Sequence, residues 1–150
     1  MKKMNDRETA LMLVFEMTFH NEPFSDRLED SLSWSEKNFG KTVLNRVNKV
    51  QENLVVIDSL ISTCLKNWRI ERIPRVTLSI LRLAVCEMMF YPKIPVGATI
   101  NESVNLAKKY ATTEDASFIN GILGTIARQN SFEKTVGVRK GEEDAKSSGN

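Results

Sequence analysis

Apolar residues fall at helical intervals along almost the whole chain. The densest run, Arg72–Tyr91, places Val76, Leu78, Ile80, Leu81, Leu83, Ala84, Val85, Met88, Met89 and Phe90 around well over half of a helical barrel. Only Arg75, Ser79, Arg82 and Cys86 form a narrow polar strip. Leaving several such apolar side chains wet costs about 1.5–3 kcal/mol each, so other helices must wrap this one. The pattern predicts an all-α domain built around it. Pro74 suits a first helical turn, and Pro92 and Pro95 end the run. Glu87 lies inside the apolar arc and must be paired or hydrogen-bonded. A structural ion pair is the plain reading and a functional role the alternative, with Arg72, another helix or a partner protein as the counter-charge.

Asn5 followed three residues later by Glu8 predicts a capping box and a first helix over residues 6–19, with Ala10, Leu11, Val14, Met17 and Thr18 on one face. Met12, Phe15 and Phe19 form a second apolar stripe, to be covered by another helix or by a partner protein. His20 closes this helix and has no catalytic signature. A short helix is expected over residues 25–34 from Leu28 and Leu32. Two helical patterns then run from Phe39 to Trp68 with a break near Gln51–Asn53, and Cys64 and Trp68 continue the second. Thr99-Ile100-Asn101-Glu102 matches a capping box for a helix ending near Tyr110, and Thr112 or Thr113 caps the last one. Gly121 and Gly124 inside that last helix each weaken it by roughly 1 kcal/mol relative to alanine, so a close approach of a neighbouring helix is expected there.

A length of 150 residues with 41% hydrophobic content supports one core, assigned to residues 1–130. Residues 131–150, with four basic and four acidic side chains, read as a charged, solvated tail. The net charge of +2 decides nothing, so an anionic partner must be argued from local clustering. Lys2, Lys3 and Arg7 supply such a cluster at a helix N-terminus, which suits phosphate. Cys64 and Cys86 lack metal-type spacing, and phosphate-loop, dinucleotide, zincin and serine-hydrolase motifs are all missing. No signal peptide or stretch of eighteen apolar residues occurs, so a cytoplasmic protein without a membrane anchor is expected. These features favour a binding module over an enzyme, with no cofactor.

Several segments carry a resemblance. Arg72-Ile73-Pro74-Arg75-Val76, Ile80-Leu81-Arg82-Leu83-Ala84, Glu87-Met88, Ile94-Pro95-Val96, Ile100-Asn101-Glu102-Ser103-Val104, Leu106-Ala107-Lys108 and Phe118-Ile119-Asn120-Gly121-Ile122-Leu123 are similar, in order and spacing, to the landmarks of the NusB transcription antitermination factors. Arg7-Glu8, Ile57-Asp58 and Trp68 agree more loosely, so the resemblance spans residues 5–128.

The resemblance implies about seven helices in two three-helix-like subdomains around the long central helix. It implies pairing with NusE, a small ribosomal subunit protein, and joint binding of single-stranded boxA RNA in an RNA polymerase antitermination complex during ribosomal RNA synthesis. By the same resemblance Lys2, Lys3 and Arg7 would contact RNA phosphates, Phe118 would stack on a base, and Glu114 would lie at the edge of that surface. Phe15, with Arg75, Thr77 and Arg82, would meet NusE. The sequence departs from strongly basic members in lacking an N-terminal arginine cluster and in carrying Asp6 there, and Thr77 replaces an acidic residue of some relatives. A protein–protein adaptor or homodimer with little RNA binding of its own is therefore the alternative. NusB-like domains also occur fused to RNA methyltransferases, but the glycine loop that binds their cofactor is missing, and no enzyme activity is expected.

Overall fold

A computed structural model describes residues 4–19, 39–66 and 68–132. The expected helix at 25–34, His20 and the tail from residue 133 lie outside the described residues. Those described form six α-helices and no strand: α1 (Asp6–Met17), α2 (Lys41–Glu52), α3 (Leu54–Ser62), α4 (Arg75–Phe90), α5 (Val96–Tyr110) and α6 (Thr113–Gln129).

Helix α4 is the post that its hydrophobic pattern required, and it packs against all five other helices. Its enclosure is more complete than expected. Ser79 and Cys86 of the supposed polar strip are fully buried, and only Arg75 and Arg82 keep contact with solvent. The Ser79 hydroxyl is satisfied locally, donating to the Arg75 carbonyl at 2.7 Å. The helix begins at Arg75, later than expected. Pro74 is its N-cap and Ile73, before the proline, is extended at φ −76° and ψ 131°. Ile70–Arg72 form a separate 3₁₀ turn.

The capping box at α1 is present: Asn5 Oδ1 accepts from the Glu8 amide at 2.7 Å, and the Asn5 amide donates to Glu8 Oε1 at 3.1 Å. Asn53 separates α2 from α3, as the pattern indicated. Helix α3 stops at Ser62, however, so Trp68 lies beyond it and is exposed. The capping box at Thr99 is not formed. Helix α5 begins one turn earlier, behind Pro95, and Thr99 is buried within it. Thr112 caps α6, accepting from the Asp115 amide at 3.0 Å. Among the described residues no close helix approach explains Gly121 and Gly124. A Cβ at Gly121 would meet nothing within 4 Å, and one at Gly124 would touch only the flexible end of Arg128 at 3.4 Å.

Candidate nucleic-acid and partner interface

Glu87 organises one end of the bundle. Its side chain is wholly removed from solvent, yet it is satisfied on every side. Arg7 Nη1 on α1 donates to both carboxylate oxygens at 2.8 Å, Arg46 Nη1 on α2 donates to Oε2 at 2.8 Å, and Thr99 Oγ1 on α5 donates to Oε1 at 2.9 Å. Four helices are thus pinned to one carboxylate, which a low-dielectric site tolerates only with such complete pairing. Two guanidiniums against one carboxylate leave the cluster with excess positive charge. Neither arginine was legible as its partner, because sequence separations of 80 and 41 residues carry no local signal.

This arrangement decides the setting of Arg7. Its guanidinium is turned inward and 17% of the side chain remains accessible, while Lys2 and Lys3 lie outside the described residues. On α6, Glu114 is exposed and Phe118, one turn on, is half-buried against the core. A groove of about 530 Å³ between α5 and α6 carries Asn101, Lys108 and Asn120 beside that face.

The second apolar stripe, Met12 and Phe15 on α1 with Phe19 just past its end at Met17, is open among the described residues. Met12 and Phe19 are 43% and 57% exposed, and Phe15 meets Phe19 edge to face with ring centroids 5.1 Å apart. The Arg75 guanidinium sits 4.4 Å from the Phe19 ring centroid and donates to the Thr18 carbonyl at 3.0 Å. Beside them an apolar cavity of about 390 Å³ is lined by Met4, Leu11, Met12, Phe15, Val76 and Tyr110, with Glu8 at its edge. Met4, Val76 and Tyr110 were not singled out for this face from sequence. Val76 fits the helical pattern equally well as a core residue.

Glu8 closes the cavity wall by binding both Lys109 and Tyr110, whose hydroxyl lies 2.9 Å away. The hydrogen bond from Lys109, that from the Asn5 amide and that from Tyr110 hold the Glu8 carboxyl down to about 2. The same contact raises the Lys109 ammonium above its ordinary value.

Two other candidates for the partner face are placed differently. Thr77 is 0% exposed and its hydroxyl has no hydrogen-bond partner among the described residues, so it offers no surface to another protein. Arg82 is engaged by Asp58 of α3, Nε to Oδ1 at 2.9 Å and Nη2 to Oδ2 at 2.8 Å. Of the four partner-face candidates, the structure brings Phe15 and Arg75 to one surface.

Residues 4–128 match the sequence model of the NusB family. The chain belongs to the NusB family. It is 36% identical over 137 residues to the transcription antitermination protein NusB of Natranaerobius thermophilus, covering 86% of this chain and 96% of that relative. It is 37% identical over 123 residues to the NusB of Pseudothermotoga lettingae, covering 81% and 88%. Among solved structures it is similar to T. maritima NusB, with a TM-score of 0.73 and 33% identity over 86% of this chain and 94% of that one. It also shares the fold of a crystal structure of antitermination factors NusB and NusE in complex with dsRNA, at a TM-score of 0.69 and 24% identity over 83% and 94%. The curated relatives are transcription antitermination proteins, and the solved NusB of the last comparison is held with NusE and dsRNA. Among the described residues no helix is long and apolar enough to cross a membrane.

Proposed function

We propose that this NusB-family chain docks NusE on the open stripe of α1 and that the pair grips single-stranded boxA-type RNA as part of an RNA polymerase antitermination complex. The observation that carries the reading is the apolar face of Met12, Phe15 and Phe19 with its adjoining cavity, left uncovered among the described residues and flanked by Arg75. Such a face, with aromatic anchors and an arginine already ordered by a ring, has the composition of a protein-docking surface. The NusB–NusE–dsRNA structure of the same fold supplies the chemistry of the partners. Lys2 and Lys3 then contact RNA phosphates. Arg7, held by Glu87 with 17% of its side chain accessible, adds positive charge in the first turn of α1. Glu114 and Phe118 line the far side of the RNA path, Phe118 stacking on an unpaired base.

The test is a fluorescence-anisotropy titration of boxA RNA with and without NusE. Affinity should rise when NusE is added. Phe15→Ala with Phe19→Ala should weaken NusE binding by at least tenfold, about 1.4 kcal/mol, the level of a modest hot spot. No gain from NusE removes the reading. The inward setting of Arg7 favours one alternative, an adaptor or homodimer using the same apolar face with little RNA binding of its own. Sedimentation of the free protein, together with RNA titration, separates the two.

A further inference from the structure

The end of the bundle away from the apolar stripe carries a second site. Between the start of α2 and the turn after α4 lies an open cleft of about 650 Å³ whose charged lining is Lys41, Arg46 and Lys93 and whose aromatic lining is Phe90 and Tyr91. Among the described residues no acidic side chain lines it. The lysines are exposed, while Arg46 is fixed: Nη1 is bound to Glu87, and its guanidinium carbon stands 5.3 Å from the centroid of the Tyr91 ring. Its Nε is buried without a hydrogen-bond partner among the described residues. Tyr91 is fixed in turn, its hydroxyl donating to Asn45 Oδ1. Just outside, the Lys49 ammonium lies 5.2 Å from the Phe90 ring centroid. Preset aromatic rings, a fixed guanidinium and two exposed lysines are the parts of a stacking platform with a phosphate-binding rim.

We propose that this cleft is an extension of the RNA track, taking nucleotides that flank the boxA segment, with bases on the Tyr91 and Arg46 planes and phosphates on Lys41 and Lys93. The inference rests on the RNA-binding reading above. Continuity favours RNA over an acidic peptide. Arg46 and Arg7 share the Glu87 carboxylate, so the cleft begins one side chain away from the first turn of α1, which Lys2 and Lys3 precede in the sequence.

The experiment uses the full chain with NusE and two RNAs, boxA alone and boxA extended by an oligouridine flank, binding to wild type and to Lys41→Ala/Lys93→Ala. Each phosphate contact on a single strand contributes about 0.7 to the salt exponent, so losing two weakens the extended RNA about 25-fold at 0.1 M salt and about fivefold at 0.3 M, with a slope lower by about 1.4. Binding of boxA alone, NusE affinity and the thermal midpoint should be unchanged. The proposal is overturned if the flank adds no affinity to wild type, if the variant loses both RNAs equally, or if it loses NusE instead, which would assign the cleft to protein. If wild type with NusE binds neither RNA, the underlying reading fails as well.

Discussion

Replacing Glu87 by glutamine keeps the shape of the side chain and removes its charge. Arg7 and Arg46 then face a neutral amide whose NH₂ end opposes one of the guanidiniums, and the 2.8 Å charge-assisted bonds become neutral or repulsive. Removing one partner of a buried ion pair costs about 3–5 kcal/mol, because the remaining charge is stranded. Here the arginines retain 17% and 16% of their side-chain surface. Partial solvation of the stranded charges places the loss at the low end, about 3 kcal/mol. For a chain of this size that is a fall in Tm of about 6–12 °C. Urea unfolding followed by circular dichroism should show a lower midpoint with an unchanged m-value. The companion variant, Arg7→Met with Arg46→Leu and Glu87→Met, removes all three charges together and should recover most of the loss, since apolar replacement of a whole buried ion cluster is often neutral. A Glu87→Gln protein within about 0.5 kcal/mol of the parent would refute the argument that this carboxylate holds the four helices, given the roughly ±0.5 kcal/mol range of inconsequential substitutions.

Further outcomes follow from other contacts. The Glu8 carboxyl, held down to about 2 by Lys109, Asn5 and Tyr110, contributes stability that is complete above the ordinary value of 4.5 and lost as pH falls from there toward 2. Glu8→Gln should therefore flatten the stability–pH curve across that interval, and an unchanged curve would contradict the assignment. On the alkaline side, the raised Lys109 value predicts a loss only as pH climbs through that raised value. Thr77→Val removes a buried hydroxyl without a partner and should be neutral or stabilising by about 1 kcal/mol in urea unfolding, with NusE affinity unaltered; weakened NusE binding would return Thr77 to the partner face. The Cys86 thiol, pushed up to about 12 by burial and then by the neighbouring Glu87 charge, should stay unmodified by a thiol reagent in the native state at neutral pH and react on denaturation, whereas rapid native labelling would show that α4 opens.

Local pattern was sufficient to identify α4 as the post, the capping box at Asn5, a break near Gln51–Asn53 and a cap at Thr112 or Thr113, of which the fold uses Asn53 and Thr112, because each depends on residues within one or two turns of one another. Family membership was legible for a related reason: its landmarks are short local strings with fixed spacing. Local reading failed where another element competes. Thr99 has the residues of a cap, yet Pro95 begins the helix earlier and Glu87 takes the hydroxyl. Trp68 keeps helical spacing beyond a helix that has already ended. The candidate site divides the same way. Phe15 and Phe19 could be recognised as an apolar stripe from their spacing, but whether another helix covered them depended on the packing of the described fold. That Glu87 needed a counter-charge followed from its place in an apolar arc; that Arg7 and Arg46 both supply it, turning one predicted RNA contact inward and leaving a basic cleft beside it, was decided only when helices distant in the chain met. Periodicity specifies which face of a helix must be buried, whereas the choice of ion partner depends on side-chain tips converging in three dimensions, a distance that spacing along one helix does not encode.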